Sequence, residues 1–334
     1  MRSATDWYRI DSDSAVGSVR RAGIRLANQL GFTEERAAEV GIVASEITSN
    51  VWRHGEHGSV AVTTVLRADA AGVQIIGLDR GPGMADARAS GLDGHSTRGT
   101  LGVGLGAIER LSTTYEVSSH PRVGTVIVAS LWADARPPND GEFEVAALTR
   151  PIAGEEVCGD AIAARHFAGH LVAVVADGLG HGPMAAAAST EAVRAFHETD
   201  SIDPATVLDA MQTKLVHTRG AAVAVASIDK EFRQLRFAGI GNIGAFLDDG
   251  ERRRSALSQP GIVGHQAPPA RVIDFPLTGR TVVVMHSDGI REGFNLRALP
   301  GLADRPASVI AATVLRDAGS RPDDAAVLVA RRGR

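Results

Sequence analysis

Lysine is almost absent from this chain: Lys214 and Lys230 are the only two, and arginine supplies nearly all the positive charge. None stands in the first half, which excludes a P-loop there, because that phosphate cradle needs Gly-Lys-Ser/Thr. A single cysteine, Cys158, rules out an internal disulfide framework and suits a reducing compartment. Long apolar runs are missing too. LVAVVA (171–176) and TVVVM (281–285) are strand-sized, far short of the ~20 residues of a membrane helix. The opening MRSATDWYRIDSDS has no apolar core of signal-peptide length. A net charge of −4 gives no basic surplus for nucleic acid or an anionic membrane. A soluble, cytoplasmic protein is the expectation.

What is there is ordinary globular material. The 334 residues are 44% hydrophobic and 22% charged, enough for two domains. Residues 14–30 have helical spacing, with Gly31 as C-cap. Thr33 caps a second helix that runs to Gly55. Residues 59–67 and 72–79 read as two strands of a hairpin. A polar, glycine-rich stretch over 84–101 would form a mobile lid. A helix over 103–112 and strands over 115–119 and 125–132 follow. ADARPPNDGE (133–142) reads as a linker, separating a domain at 1–132 from one at 143–334. After it, strands are expected at 145–149, 170–177, 221–229, 234–241, 280–288 and 325–331, with helices at 183–198, 204–217 and 306–317.

Phosphate chemistry is suggested by GTLGVGLGAIERL (99–111), a bare backbone running into a helix N-terminus. Gly102, Gly104 and Ala107 formally fit a dinucleotide fingerprint, but the preceding DGHSTRGT is loop-like and not a strand, so that reading fails. Upstream, Glu46 and Asn50 lie four apart on one helix face, with His54 on the same stripe as a plain C-terminal residue favoured by the helix dipole. Asp79, Gly81 and Gly83 then follow a strand. A carboxylate there can accept from a purine amino group, and Asn50 can offer an oxygen to Mg²⁺. Each feature alone has a plain alternative, a solvated helix face or a turn.

The ordered set Glu46–Asn50, Asp79–Gly81–Gly83 and Gly102–Gly104–Gly106 resembles the GHKL ATPase/kinase superfamily over roughly residues 14–132. LGVGLGAIERLSTTYEVSSHPRVGTVIVASLW resembles its anti-sigma-factor serine-kinase branch, of the RsbT and RsbW type. The resemblance implies a GHKL (Bergerat) α/β sandwich that binds ATP with Mg²⁺, with Glu46 as general base toward a substrate hydroxyl.

In the second half aspartates mark the ends of apolar strands: Asp160, Asp177, Asp288 and Asp323–Asp324. Asp-Gly is also a common turn dipeptide, but four such positions, each placed after an apolar strand, point to carboxylates converging on divalent cations. Two such ions can generate a hydroxide and polarise a phosphoryl group. The pattern GD, DGLGHG, GIGNIGAF, SDG and DD resembles the SpoIIE-type branch of the metal-dependent Ser/Thr phosphatases (the PPM family), in an RsbX-like version, over residues 143–331. That implies a β-sandwich flanked by helices. It also implies two Mn²⁺ or Mg²⁺ ions bridged by Asp160 and Asp177, the carbonyl of Gly178 as a ligand, and Asp288 and Asp323 completing one metal. Asp323 is preferred to Asp324. His181 is either an acid for the leaving serine oxygen or simply a polar turn residue. Cys158 reads as packing. No phosphate-clamping arginine motif stands near the start of this domain.

The resemblances imply a bifunctional switch: an ATP-dependent Ser/Thr protein kinase and a metal-dependent phosphoserine/phosphothreonine phosphatase acting on a STAS-type (anti-anti-sigma or stressosome) partner, with reciprocal regulation. A sigma factor or a second phosphatase are further partners of such pathways, and a homodimer stays open. The alternative is a phosphatase governed by a non-catalytic ATP-binding or antagonist-sequestering domain.

Overall fold

The computed structural model describes residues 5–67, 70–84, 103–134, 136, 141–319 and 322–333. The chain forms two compact units, Ala4–Asp140 and Gly141–Arg334. In the first, the order is β1 (Thr5–Arg9), α1 (Ser14–Gln29), α2 (Glu34–His54), β2 (Ser59–Arg67), β3 (Ala70–Leu78), α3 (Val103–Leu111), β4 (Thr114–His120) and β5 (Gly124–Trp132). The strands form one antiparallel sheet, β1-β2-β3-β5-β4.

The helices stop and start where local chemistry dictates. Leu30 is the C-cap of α1, and Gly31 sits one residue beyond it at φ +77°. Gly31 N–H bonds Asn28 O and Phe32 N–H bonds Ala27 O, a Schellman closure that needs a left-handed residue. Thr33 accepts from Arg36 N–H at 3.2 Å and so caps α2. Val40, Val43, Ala44, Ile47 and Val51 recur at helical spacing and bury against Val62, Val73, Ile75 and Ile127 of the sheet. β1 was not expected: its five residues, TDWYR, are too few to show a strand pattern, and backbone pairing with β2 holds it.

The second unit holds two antiparallel sheets. One runs β13 (Ile273–Pro276), β10 (Gln234–Ile240), β9 (Ala221–Asp229), β8 (His170–Gly178) and β7 (Asp160–Phe167). The other runs β12 (Arg253–Leu257), β11 (Gly244–Asp248), β14 (Val282–His286), β15 (Ala325–Arg332) and β6 (Phe143–Arg150). Ile162, Val175, Ala224 and Phe237 of the first share a core with Leu247, Val283, Met285 and Leu328 of the second. On the outer face of the first sheet, Phe196 of α4 (Pro183–Glu198) and Met211 of α5 (Pro204–Lys214) pack on Val172, Val174 and Val223. α6 (Ala307–Ala318) lies on β15 and β6.

Three local expectations change. The helix over 204–217 is α-helical only to Lys214 and ends in a 3₁₀ turn, Leu215–His217. The strand expected over 234–241 ends at Ile240, before Gly241 at φ +101°, and an unexpected strand, β11, follows. β7, β12 and β13 are additional strands. β12 and β13 are only five and four residues long, too short for a period-two pattern to stand out in the sequence. The lid segment 85–101, and Gly102, lie outside the described residues.

Candidate active sites

In the first unit, α2 presents Glu46 and Asn50, both half-buried, toward the start of α3. A Cβ at Gly104 would stand 2.9 Å from Glu46 Oε2 and 3.5 Å from Asn50 Oδ1. The first and third motifs therefore meet, and a side chain at 104 would push the Glu46 carboxylate aside. Arg36 sets this approach. Its guanidinium donates to Leu111 O at the end of α3 (2.9 Å), to Thr113 Oγ1 (2.7 Å) and to Trp132 O (3.0 Å). Asp79 directly follows β3 and is buried. Its Oδ1 accepts from Gly81 N–H (2.8 Å) and Thr125 N–H (3.3 Å). Gly83 has φ +66°, and a Cβ there would lie 2.1 Å from His120 O. Gly106 is buried within α3. His54 is exposed in the last turn of α2. Among the described residues the Asn50 amide nitrogen is buried without a hydrogen-bond partner, which fits a polar ligand against Glu46, Asn50 and Gly104.

In the second unit, Asp160 and Asp177 are opposite each other across β7 and β8. Asp177 and Asp288 stand at the outgoing ends of strands. Asp160 instead opens β7, and Asp323 and Asp324 precede β15, which corrects the expectation that each follows a strand. In antiparallel sheets the end of one strand and the start of the next share an edge, so the five still act on one another. Burial pushes the Asp160 carboxyl well above the usual carboxylate range, and the charge of Asp177 adds to it. Burial, then the charge of Asp288, pushes Asp177 up to about 7.

The remaining contacts sort these carboxylates. Ser287 donates to Asp160 Oδ2 at 2.6 Å and itself accepts from Ala326 N–H at 2.9 Å. Among the described residues Asp160 Oδ1 is buried with no N–H or hydroxyl donor, and the Asp177 carboxyl is the hydrogen-bonding neighbour of Asp160. Asn242 Nδ2 donates to Asp288 Oδ2 at 2.8 Å. Asp324 accepts from Ile152 N–H (2.8 Å) and Gly159 N–H (2.9 Å) through its two oxygens, so it straps the loop before β7. Asp323 is half-buried and accepts from Asp324 N–H at 2.9 Å. Gly178 admits no side chain, since a Cβ would lie 2.0 Å from Ala185 O. The exposed His181 has Nδ1 2.8 Å from Glu155 Oε1. Burial, and then the charges of Asp160 and Asp324, push the Cys158 thiol up and favour its protonated form in the metal-free chain.

Among the described residues no three His, Cys, Asp or Glu side chains close around a metal by themselves. Mg²⁺ keeps several waters and takes only one or two carboxylates, and an all-oxygen edge suits Mg²⁺ or Mn²⁺. Asp160 and Asp177 are two buried carboxyls close enough to share a proton, and their burial and mutual charge are what such cations relieve, so the residues present fit them. Sequence reasoning missed Ser287 and Asn242 as supports, although both stand inside quoted motifs, SDG and GIGN. It also missed Arg36, which has no motif.

The comparisons with known proteins follow this division. The histidine kinase-like ATPase domain family matches residues 11–131, and the stage II sporulation protein E (SpoIIE) family matches residues 168–333. The serine/threonine-protein kinase RsbT of Bacillus subtilis (strain 168) is 32% identical over 124 residues, which is 37% of this chain and 93% of the relative. The phosphoserine phosphatase RsbX of the same organism is 28% identical over 90 residues, 27% of this chain and 45% of RsbX. A solved structure described as "The bacterial stressosome: a modular system that has been adapted to control secondary messenger signaling" is 30% identical with a TM-score of 0.53, covering 57% of this chain and 99% of its own. The chain thus joins a GHKL-like ATPase domain of the RsbT kind to a SpoIIE-type serine/threonine phosphatase domain, and belongs to both families.

Proposed function

We propose that this chain is a bifunctional cytoplasmic regulator of a bacterial partner-switching pathway, phosphorylating and dephosphorylating a Ser or Thr of one STAS-type partner. The observation that carries the kinase half is the approach of Gly104 to Glu46 and Asn50. In this reading the domain over 1–132 binds ATP. Asn50 holds Mg²⁺ through its oxygen, Asp79 takes the purine amino group, and Gly81, Gly83, Gly102, Gly104 and Gly106 keep the backbone close to the nucleotide. Glu46 takes the proton of the attacking hydroxyl. Among known relatives, RsbT is named a serine/threonine-protein kinase, which supports this role.

The phosphatase half, over 143–334, rests on the carboxylate edge. Asp160, Asp177 and the Gly178 carbonyl would hold two Mn²⁺ or Mg²⁺ ions, with Asp288 and Asp323 completing one of them. Such a pair supplies Lewis-acid activation of the phosphoryl group and an acidified water. The chain's own residues fix the geometry: Ser287 aims Asp160, Asn242 aims Asp288, and Asp324 is spent on backbone N–H groups, which favours Asp323 as the ligand. One chain carrying both activities keeps each near the other's product, so reciprocal gating by ATP or partner is needed to avoid a futile cycle.

Glu46→Gln in the full chain tests the kinase half. It is expected to abolish phosphate transfer to a STAS-domain protein while leaving fluorescent-ATP binding in place. Transfer that survives the change would remove Glu46 from the mechanism and favour a sensing or sequestering domain.

A further inference from the structure

We propose that Arg219 is the phosphate-binding residue of the phosphatase site, receiving the phosphoryl oxygens of a phosphoserine or phosphothreonine beside the aspartate edge. The proposal rests on the phosphatase reading and supplies the substrate contact that reading leaves open.

The sheet register brings Arg219 there. β8 and β9 pair Asp177 with Ala222 and Gly178 with Ala221. Leu179 N–H bonds Gly220 O at 3.1 Å and carries the ladder one step beyond the strands. The next pair in that register is Gly180 and Arg219. The side chain follows the backbone: a Cβ at Gly180 would stand 3.2 Å from Arg219 Nη1. The guanidinium therefore lies over the glycine turn only three residues after Asp177.

The backbone of this arginine is locked while its charge is unspent. Thr218 Oγ1 donates to Leu215 O (2.8 Å) and accepts from Gly220 N–H (3.0 Å). His265 Nε2 lies 3.2 Å from Thr218 O. Gly220 has φ +80°, and a Cβ there would meet Ile262 Cγ2 at 2.6 Å, so the segment around 262–265 buttresses the turn. The Arg219 side chain is exposed, and it makes no hydrogen bond or ion pair with any described residue. A fixed stem with a free planar fork suits bidentate recognition of phosphate. The cations this edge would hold offset its own negative charge, and a guanidinium at the rim adds directional donors for the phosphoryl oxygens where the substrate enters.

The test uses the full chain loaded with Mn²⁺, as wild type, Arg219→Ala and Arg219→Lys. Hydrolysis of p-nitrophenyl phosphate and of a phosphoserine peptide gives KM and kcat. Calorimetry gives the affinities for Mn²⁺ and for inorganic phosphate. Loss of a charge-assisted contact predicts that Arg219→Ala raises KM and weakens phosphate binding roughly tenfold or more. Mn²⁺ affinity stays unchanged and kcat falls less than KM rises. Arg219→Lys recovers part of the loss, since it keeps the charge but not the fork. Unchanged KM and phosphate affinity in Arg219→Ala, or a fall in kcat alone, would overturn the assignment. Absence of Mn²⁺-dependent hydrolysis by the wild type would count against the phosphatase reading itself, while the phosphate calorimetry still decides Arg219.

Discussion

A carboxyl that loses water without gaining a cation keeps its proton, and Asp177 keeps its own to about pH 7. Between the ordinary value of 3.8 and about 7, the folded chain binds more protons there than the unfolded chain. Stability of the metal-free protein therefore falls as pH rises through that window, by ~4 kcal/mol at most from this group. Asp177→Asn stays neutral and removes this group's share of the slope, while the buried Asp160 keeps its own. Urea unfolding without metal is expected to show the variant more stable than wild type at pH 8 and the two converging near pH 4; parallel profiles would contradict this. Mn²⁺ should stabilise the wild type at pH 8 more than the variant. Ser287→Ala acts on the neighbouring carboxylate. It removes the donor that aims Asp160, and loss of such a support predicts Mn²⁺ affinity lower by roughly tenfold or more in calorimetry. The aspartates were visible in the sequence because each sits beside glycine or a second aspartate at a strand boundary. Ser287 and Asn242 were not assigned, because a hydrogen bond across 127 or 46 residues leaves no local pattern.

At the level of elements, helix signals were the most legible. Thr33 and Gly31 bound α1 and α2 through capping chemistry that any tertiary context preserves. Strands whose stability comes from a neighbour were less so, as β1, β12 and β13 show. The approach of α3 to α2 is a tertiary fact too: Arg36, 36 residues into the chain, holds Leu111 O. Arg36→Ala strands three carbonyl or hydroxyl acceptors near the α3 terminus and is expected to cost about 2–4 kcal/mol, read as a lower urea midpoint for the first unit. Gly104→Val tests the same junction from the other side. The added methyls displace Glu46 and fill the space beside Asn50, so ATP affinity should drop roughly tenfold or more while the melting temperature stays within a few degrees. Normal ATP binding by Gly104→Val would show that the junction is not part of the nucleotide site.

For the whole molecule, the proposed function places two activities of opposite sign in one chain. No helix among the described residues is long and apolar enough to cross a membrane. The most direct measurement takes the full chain with Asp177→Asn and Asp288→Asn together, Mg²⁺ and γ-labelled ATP, and a STAS-domain protein from the same genome as acceptor. After ATP is depleted, Mn²⁺-loaded wild-type chain is added. The account predicts label on the acceptor, lost on Glu46→Gln, and then its release by wild type and not by the Asp177→Asn, Asp288→Asn chain. ATP binding without any transfer to the acceptor, with release from pre-phosphorylated acceptor intact, would contradict the two-way switch and leave a phosphatase carrying a nucleotide-sensing domain.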